Sequence, residues 1–198
     1  ILTGGAGFIG SHWVKLLIKN NYNILVFDCK KSNNFKIKNK NVKYFQIDIT
    51  NEQSIKNIFY KLKNKKIYAL INNAAIDSVP KKTKKNNHLP DTIQWKYELD
   101  VSLTGSYLMT KYFGEKIKKQ KKGKILYMGS DLSIVAPNQD VYKSFGNFLK
   151  PVTYSVVKHG VLGLTRYFAS LYSKFNIQVN MLSPGPIKNK HKKKFVKA

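Results

Sequence analysis

Thr3-Gly4-Gly5-Ala6-Gly7-Phe8-Ile9-Gly10 lies between an apolar start, Ile1-Leu2, and a segment with apolar residues at helical spacing. This order predicts a strand, a tight turn and the first turn of a helix. Such a turn sets backbone N–H groups and a helix N-terminus against a phosphate. Glycine suits the turn because a Cβ would hinder positive φ or keep a pyrophosphate away from the backbone. The stretch therefore predicts nucleotide binding, and an ordinary glycine-rich turn between strand and helix is the alternative.

The next apolar segment, Asn23-Ile24-Leu25-Val26-Phe27-Asp28, predicts a buried strand that ends in a carboxylate. Asp28 follows Gly10 by close to the roughly 20 residues at which such an acid bonds the ribose hydroxyls of a dinucleotide. A carboxylate there would repel a 2′-phosphate, so it favours NAD over NADP. Lys30 and Lys31 could offset that preference, and a lone Asp could instead cap a turn.

Strand and helix patterns alternate along the rest of the chain. Four more strands are predicted at residues 42–47, 67–71, 123–128 and 177–182. Helices are predicted from Asn51 or Thr50 to about 62, from Asp91 to about 119 and over residues 152–173, with irregular chain at 131–150. Six strands that alternate with helices predict an α/β fold, a three-layer doubly wound parallel sheet (Rossmann fold) within one domain, residues 1–198.

The net charge of +26 is the most unusual feature of the composition. Arg166 is the single arginine among 36 basic residues, and the lysines are spread along almost every predicted helix and loop. Because proteins that read nucleic acid usually use arginine for bidentate contacts, we expect no specific nucleic-acid partner. The positive field should instead attract anionic ligands such as nucleotides.

Membrane, disulfide and metal classes are disfavoured. No run approaches the roughly 18 apolar residues of a membrane span. One cysteine, Cys29, rules out an internal disulfide, so a cytoplasmic protein is expected. The histidines and Cys29 lack metal-ligand spacing, so no metal is expected.

Tyr154 and Lys158 are candidate catalytic residues, because residues four apart share one helix face. A neighbouring ammonium can lower the pKa of a phenol that donates protons. Tyr107/Lys111 and Tyr112/Lys116 have the same spacing. Only Tyr154 follows a strand that ends in a serine, Ser130, and precedes a strand that ends in Pro-Gly. These strand ends converge in a doubly wound sheet, so position favours Tyr154/Lys158.

Across essentially its whole length the chain resembles the short-chain dehydrogenase/reductase family. The matching features, in order, are Thr3-Gly4-x-x-Gly7-x-x-Gly10, Asp48, Asn72-Asn73-Ala74-Ala75, Ser130, Tyr154-x-x-x-Lys158 and Asn180-Met181-Leu182-Ser183-Pro184-Gly185-Pro186-Ile187. The resemblance implies cofactor contacts from Gly4, Gly7, Phe8, Ile9, Gly10, Asp28, Asp48, Ile49, Asn73, Ala74, Ala75, Tyr154, Lys158, Pro184, Gly185 and Ile187. It implies catalysis by Ser130, Tyr154 and Lys158.

The sequence departs from the family pattern at three places. Phe8 stands where the classical glycine motif has glycine, which is the spacing of the extended branch. Ser102 stands where a catalytic asparagine is expected, so it becomes a fourth catalytic candidate. Ser130 and Tyr154 are separated by about twice the usual distance. The inserted segment, with Val135-Ala136-Pro137-Asn138, should form a loop over the site. It is similar to that of family members linked to bacterial surface-sugar and flagellin-glycan pathways.

The resemblance implies an NAD(P)-dependent oxidoreductase that acts on a small carbonyl compound or secondary alcohol. A sugar-type substrate in surface-glycan biosynthesis is one expectation; a 3-oxoacyl-thioester reductase and a non-catalytic nucleotide-binding remnant are the alternatives. Family members generally continue with substrate-covering helices and a seventh strand. We therefore expect residues 1–198 to be a fragment, incomplete at both ends, of an enzyme that forms a homo-oligomer when full length.

Overall fold

The computed structural model describes residues 1–76, 88–143 and 148–189. Six strands in these ranges form one parallel sheet in the order β3-β2-β1-β4-β5-β6. They are β1 (Leu2–Thr3), β2 (Ile24–Asp28), β3 (Val42–Gln46), β4 (Ala69–Asn72), β5 (Gly123–Met128) and β6 (Ile177–Leu182). The chain winds outward from β1 to one edge and then returns to wind to the other. The predicted doubly wound parallel sheet is confirmed, and its crevice lies where the strand order reverses.

Helices connect the strands. They are α1 (Phe8–Lys19), α2 (Glu52–Lys61), α3 (Thr92–Leu99), α4 (Gly105–Met109), α5 (Glu115–Lys119), α6 (Gln139–Lys143) and α7 (Val152–Tyr172). The side chains of Asn51 and Asp91 accept hydrogen bonds from first-turn N–H groups of α2 and α3, as the sequence predicts. None of the helices in the described ranges combines the length and apolar character that a membrane crossing needs.

The helical stretch from α3 to α5 is continuous but not uniformly α-helical. Two π-helical turns, Asp100–Thr104 and Thr110–Gly114, join α3 to α4 and α4 to α5. Each such turn holds one more residue than an α-turn. Hydrophobic periodicity predicts the stretch as a single helix and does not reveal these turns.

The described residues between 131 and 150 contain helical turns where the sequence predicts irregular chain. A 3₁₀ turn, Asp131–Ser133, directly follows the Ser130 cap, and α6 comes next. The lysine-rich loop predicted at residues 81–87 and most of the C-terminal tail lie outside the described residues.

Successive residues of β2 show how the sheet separates two apolar layers. Val26 is fully buried among residues of β1 and α1, whereas Phe27 is fully buried on the opposite face, among residues of α2 and the stretch from α4 to α5. This opposition follows from the alternation of side chains along a strand. Both faces are covered, which leaves the carboxyl edge of the strands to hold the polar side chains.

Candidate active site

The glycine loop between β1 and α1 has the geometry of a phosphate cradle. Gly4 has a positive φ of 69°, and a Cβ on Gly10 would lie 2.1 Å from the carbonyl oxygen of Gly4. Helix α1 begins at Phe8, and its N-cap, Gly7, has no side chain to accept from the first-turn N–H groups. Phe8 is partly exposed and Ile9 is half-buried. The loop therefore offers the backbone donors that a pyrophosphate needs.

Asp28 joins the end of β2 to the glycine loop. Its carboxylate is buried and accepts hydrogen bonds from the backbone N–H of Ala6 at 2.8 Å and of Lys30 at 3.0 Å. The Tyr44 hydroxyl donates to the carbonyl of Lys30, and burial, with the nearby Asp28 charge, raises the pKa of Tyr44 to about 12. Each Asp28 oxygen keeps a lone pair that could accept from a ribose hydroxyl.

Thr3 connects the carboxyl ends of β1 and β4. Its hydroxyl accepts from the backbone N–H groups of Asn73 and Ala74, both at 3.0 Å, and the Asn73 side-chain amide donates to the Thr3 carbonyl at 2.9 Å. A Cβ on Gly4 would lie 2.8 Å from the Cα of Ala74. Because this approach is so close, small residues are required here; Ala75, next along the chain, is exposed.

The pair Asp48 and Ile49 follows β3. Asp48 is exposed, and its Oδ1 accepts from the backbone N–H and the hydroxyl of Thr50 at 2.9 and 2.8 Å. Ile49 is buried, and a Cβ on Gly105 would lie 2.7 Å from its side chain. The predicted adenine-contacting carboxylate is thus held by its own turn, while Ile49 packs on α4.

Two lysine ammonium groups flank the ring of Tyr154. Lys158 is buried, and its Nζ donates to the carbonyl of Met128, the last residue of β5, at 2.9 Å. That Nζ is 5.5 Å from the centroid of the Tyr154 ring, and the Nζ of Lys150 is 3.7 Å from it. The side chain of Gln139 exchanges two hydrogen bonds with the backbone of Lys150. The sequence predicts the contact with Lys158 but not that with Lys150.

Ser130 follows β5 and is buried beside an acid. Its hydroxyl donates to Oδ1 of Asp131 at 2.6 Å and accepts from the backbone N–H of Leu132 at 3.2 Å. Its own N–H donates to the hydroxyl of Ser133 at 3.0 Å. The N–H of Asp131 donates to the carbonyl of Pro184 at 3.2 Å, which links this turn to the end of β6. Sequence reasoning missed Asp131, because only its place directly after Ser130 distinguishes it.

Ser102 lies in the first π-helical turn and is 2% exposed. Its hydroxyl makes no hydrogen bond within residues 1–76, 88–143 and 148–189.

The segment with Pro184, Gly185 and Ile187 continues from β6, and both Gly185 and Ile187 are exposed. The described part of the chain contains no group of three or more His, Cys, Asp or Glu side chains suited to a metal.

Known proteins resemble this chain over most of its length. The family model for short chain dehydrogenases matches residues 1–198. The NAD-dependent glycerol dehydrogenase of Listeria innocua is 26% identical over 187 residues, which cover 93% of this chain and 68% of that protein. The 2-dehydro-3-deoxy-D-gluconate 5-dehydrogenase of Bacillus subtilis is 32% identical over 144 residues, 72% of this chain and half of that protein.

A solved structure has the same fold over nearly the whole chain. It is a short chain dehydrogenase from Leptospira borgpetersenii with bound NAD⁺, 26% identical, with a TM-score of 0.85. The superposition covers 99% of this chain and 74% of that one.

Proposed function

This chain belongs to the short-chain dehydrogenase family, a family of NAD(P)-dependent oxidoreductases. From that premise we propose that it moves hydride between a nicotinamide cofactor and a small carbonyl compound or secondary alcohol. One observation carries this proposal: the glycine loop and the side chains of Ser130 and Lys158 stand at the carboxyl edge of the same parallel sheet. In open α/β sheets this edge is where ligands bind.

The cofactor is proposed to lie on the glycine loop, with Asp28 at the adenosine ribose. The absence of a side chain on Gly10 and the uncapped first turn of α1 suit a pyrophosphate. The Asp28 carboxylate favours NAD, and the solved relative from Leptospira holds NAD⁺. NADP stays open, because the Lys30 ammonium lies 3.4 Å from the Ala6 carbonyl, at the rim of the same loop.

The chemistry of the bound cofactor is hydride donation or acceptance at its nicotinamide ring. Tyr154 is proposed to give a proton to the carbonyl oxygen, or to take one from the alcohol in reverse. Lys158 would bond the nicotinamide ribose and keep positive charge beside the Tyr154 ring. Ser130 would hold the reacting oxygen. Ser102, whose hydroxyl has no hydrogen-bond partner in the described part of the chain, would support a water linked to Lys158.

The substrate is proposed to be of the sugar or polyol type. Two relatives are named for glycerol and for a deoxy-keto-gluconate. The long segment between Ser130 and Tyr154, with α6 within it, would form part of the substrate wall. A role in surface-glycan biosynthesis is one form of this proposal, and a 3-oxoacyl-thioester reductase is the alternative within enzymes.

We further propose that the protein is cytoplasmic and forms a homo-oligomer. The exposed apolar side chains of Ile93, Tyr97 and Tyr107 on the stretch from α3 to α4, and of Tyr167 on α7, support self-association. Residues 1–198 would form one dinucleotide-binding unit that carries the catalytic side chains, and a seventh strand beyond it stays a prediction. Sedimentation of the purified protein would measure the oligomeric state.

Binding and turnover measured together test the proposal. Quenching of NADH fluorescence reports binding, and loss of NADH absorbance with a panel of ketones, keto sugars and 3-oxoacyl thioesters reports turnover. We expect binding, and turnover of at least one keto sugar or hydroxy ketone. Binding without any turnover would favour the non-catalytic remnant. Steeply salt-dependent affinity for DNA, with no binding of NADH, would favour a nucleic-acid protein instead.

A further inference from the structure

Asp131 is an exposed carboxylate at the point where β5 and β6 end. Its Oδ1 binds the hydroxyl of Ser130, and its Oδ2 lies 4.0 Å from where a Cβ on Gly185 would stand. The two salt bridges among the described residues lie elsewhere, between Lys111 and Glu52 and between Lys118 and Glu115. Within residues 1–76, 88–143 and 148–189 Asp131 therefore has no ion-pair partner, in a protein of net charge +26.

The Ser130 hydroxyl hydrogen, which the proposed catalytic role requires for a bond to the reacting oxygen, is donated to Asp131. A serine hydroxyl has one hydrogen, and at 2.6 Å from a carboxylate this hydrogen is in a charge-assisted bond. The backbone N–H of Leu132 fills one of the two acceptor positions on the Ser130 oxygen. Ser130 in this arrangement can accept a hydrogen bond from a ligand, but it cannot donate one to a carbonyl oxygen.

A second hydroxyl on the substrate would resolve this competition. If that hydroxyl donates to Asp131 in place of Ser130, the Ser130 hydroxyl keeps its hydrogen and is free to donate it to the reacting oxygen. With a substrate that lacks the second hydroxyl, the reacting oxygen competes with Asp131 for the Ser130 hydrogen, and the carboxylate keeps the backbone N–H of Leu132, 2.8 Å from its Oδ1, as its remaining donor among the described residues. A substrate with a carboxylate or phosphate at this place would be repelled.

We propose that Asp131 is the specificity-determining residue of this site and accepts a hydrogen bond from a hydroxyl on the carbon next to the reacting one. The substrate class is therefore vicinal diols and α-hydroxy ketones. This inference rests on the proposed oxidoreductase function. It predicts that Asp131 selects the substrate, while Ser130 acts on the reacting oxygen.

A matched pair of alcohols tests the inference. Butane-2,3-diol and butan-2-ol differ by the one hydroxyl in question, and kcat/KM for each is measured with NAD⁺ on the 198-residue protein. We expect the unaltered protein to prefer the diol by at least about 100-fold, since sites built to bind a hydroxyl strongly reject analogues that lack it. In Asp131→Ala the preference should fall below about tenfold, with turnover of butan-2-ol retained or increased.

Asp140→Asn is the matched control for Asp131→Asn, because each removes one negative charge from the same segment of the chain. Only Asp131→Asn should reduce the diol preference. Calorimetry gives a readout that does not depend on turnover: the diol should bind the NADH complex at least about tenfold more weakly in Asp131→Ala, a difference of about 1.4 kcal/mol.

Two failures of the experiment are distinguishable. Equal diol preference in the unaltered protein and in Asp131→Ala would overturn the role of Asp131 and leave the oxidoreductase assignment standing. Absence of turnover for both alcohols, and for every ketone, keto sugar and 3-oxoacyl thioester of the panel with NADH, would overturn the proposed function and this inference together.

Discussion

The two halves of the carboxyl edge are built in different ways. Around the glycine loop, between β1 and β4, the contacts involve backbone atoms or very short side chains, as in the bonds of Asn73 and Ala74 to Thr3. Around the ends of β5 and β6, long or charged side chains make the contacts, as in the bonds of Lys158 to Met128 and of Ser130 to Asp131. The first half is therefore sensitive to the volume of a side chain, and the second to its functional group.

Removal of one functional group from the catalytic half should abolish most of the turnover and leave cofactor binding intact. Tyr154→Phe removes only a hydroxyl, so we expect turnover to fall about 1,000-fold, in the range typical of a proton donor, with NADH affinity nearly unchanged. Stopped-assay kinetics and fluorescence titration measure the two quantities. Tyr167→Phe, on the exposed side of the same helix, should change neither. Retained turnover in Tyr154→Phe would refute the assignment of Tyr154.

Addition of one methyl group to the glycine loop should weaken cofactor binding. In Gly10→Ala the added Cβ meets the Gly4 carbonyl at 2.1 Å, so the loop must shift. Overpacking of this kind costs typically about 1–3 kcal/mol, and we expect NADH binding to weaken about 100-fold. The matched control is Gly163→Ala, where nothing lies within 4 Å of the new Cβ, and where alanine should stabilise α7 by up to about 1 kcal/mol. Equal NADH affinities in both variants would contradict the proposal that the glycine loop binds the pyrophosphate.

Asp28 is a charged exception in the cofactor half, and its replacement tests how far that half depends on a functional group. Asp28→Ala removes an acceptor from the Ala6 N–H and a negative charge from the proposed ribose site. We expect the ratio of NADPH to NADH affinity to rise about tenfold and the free energy of unfolding to fall by about 1–3 kcal/mol. Paired titrations and chemical denaturation measure these effects. An unchanged ratio of NADPH to NADH affinity would mean that Asp28 stabilises the glycine loop but does not select the cofactor.

Glu52 lies outside both halves and should give the smallest effect. Hydrogen bonds from Lys111 and Tyr112 lower the pKa of Glu52 from 4.5 to about 2. A lowered pKa contributes stability that is present above the usual value and lost as pH falls toward 2. Glu52→Gln should therefore lower Tm slightly at pH 7, with the difference disappearing near pH 2, and NADH binding should not change. A large Tm difference at pH 2 would contradict this account.

The sequence predicts more of the cofactor half than of the catalytic half, for a physical reason. Glycine spacing, strand alternation and the caps at Asn51 and Asp91 are local, and each follows from steric or hydrogen-bonding rules within a few residues. The strand bounds differ by one or two residues, as where β4 begins at Ala69 rather than at residue 67.

Contacts made by long side chains across the turns were not predictable in the same way. The proximity of Lys150 to Tyr154 depends on the hydrogen bonds of Gln139, in a segment that carries no periodic signal. The link between Ser130 and Asp131 needs the 3₁₀ turn that brings neighbouring side chains together. The roles of Ser102, Asp48 and the nicotinamide-flanking segment stay predictions from the family resemblance.

The π-helical turn at Asp100–Thr104 has a consequence for how this chain is aligned with its relatives. An α-helix advances about 100° per residue, so losing one residue from it rotates everything downstream to another face. A π-helical turn holds its extra residue as a bulge, and losing that residue would restore an ordinary turn without rotating α5 away from the core. The residue of a relative that corresponds to Ser102 is therefore found by superposing the helices rather than by counting positions across this turn. Loss of one residue from this turn would therefore leave the packing of Ile117 in the core unchanged.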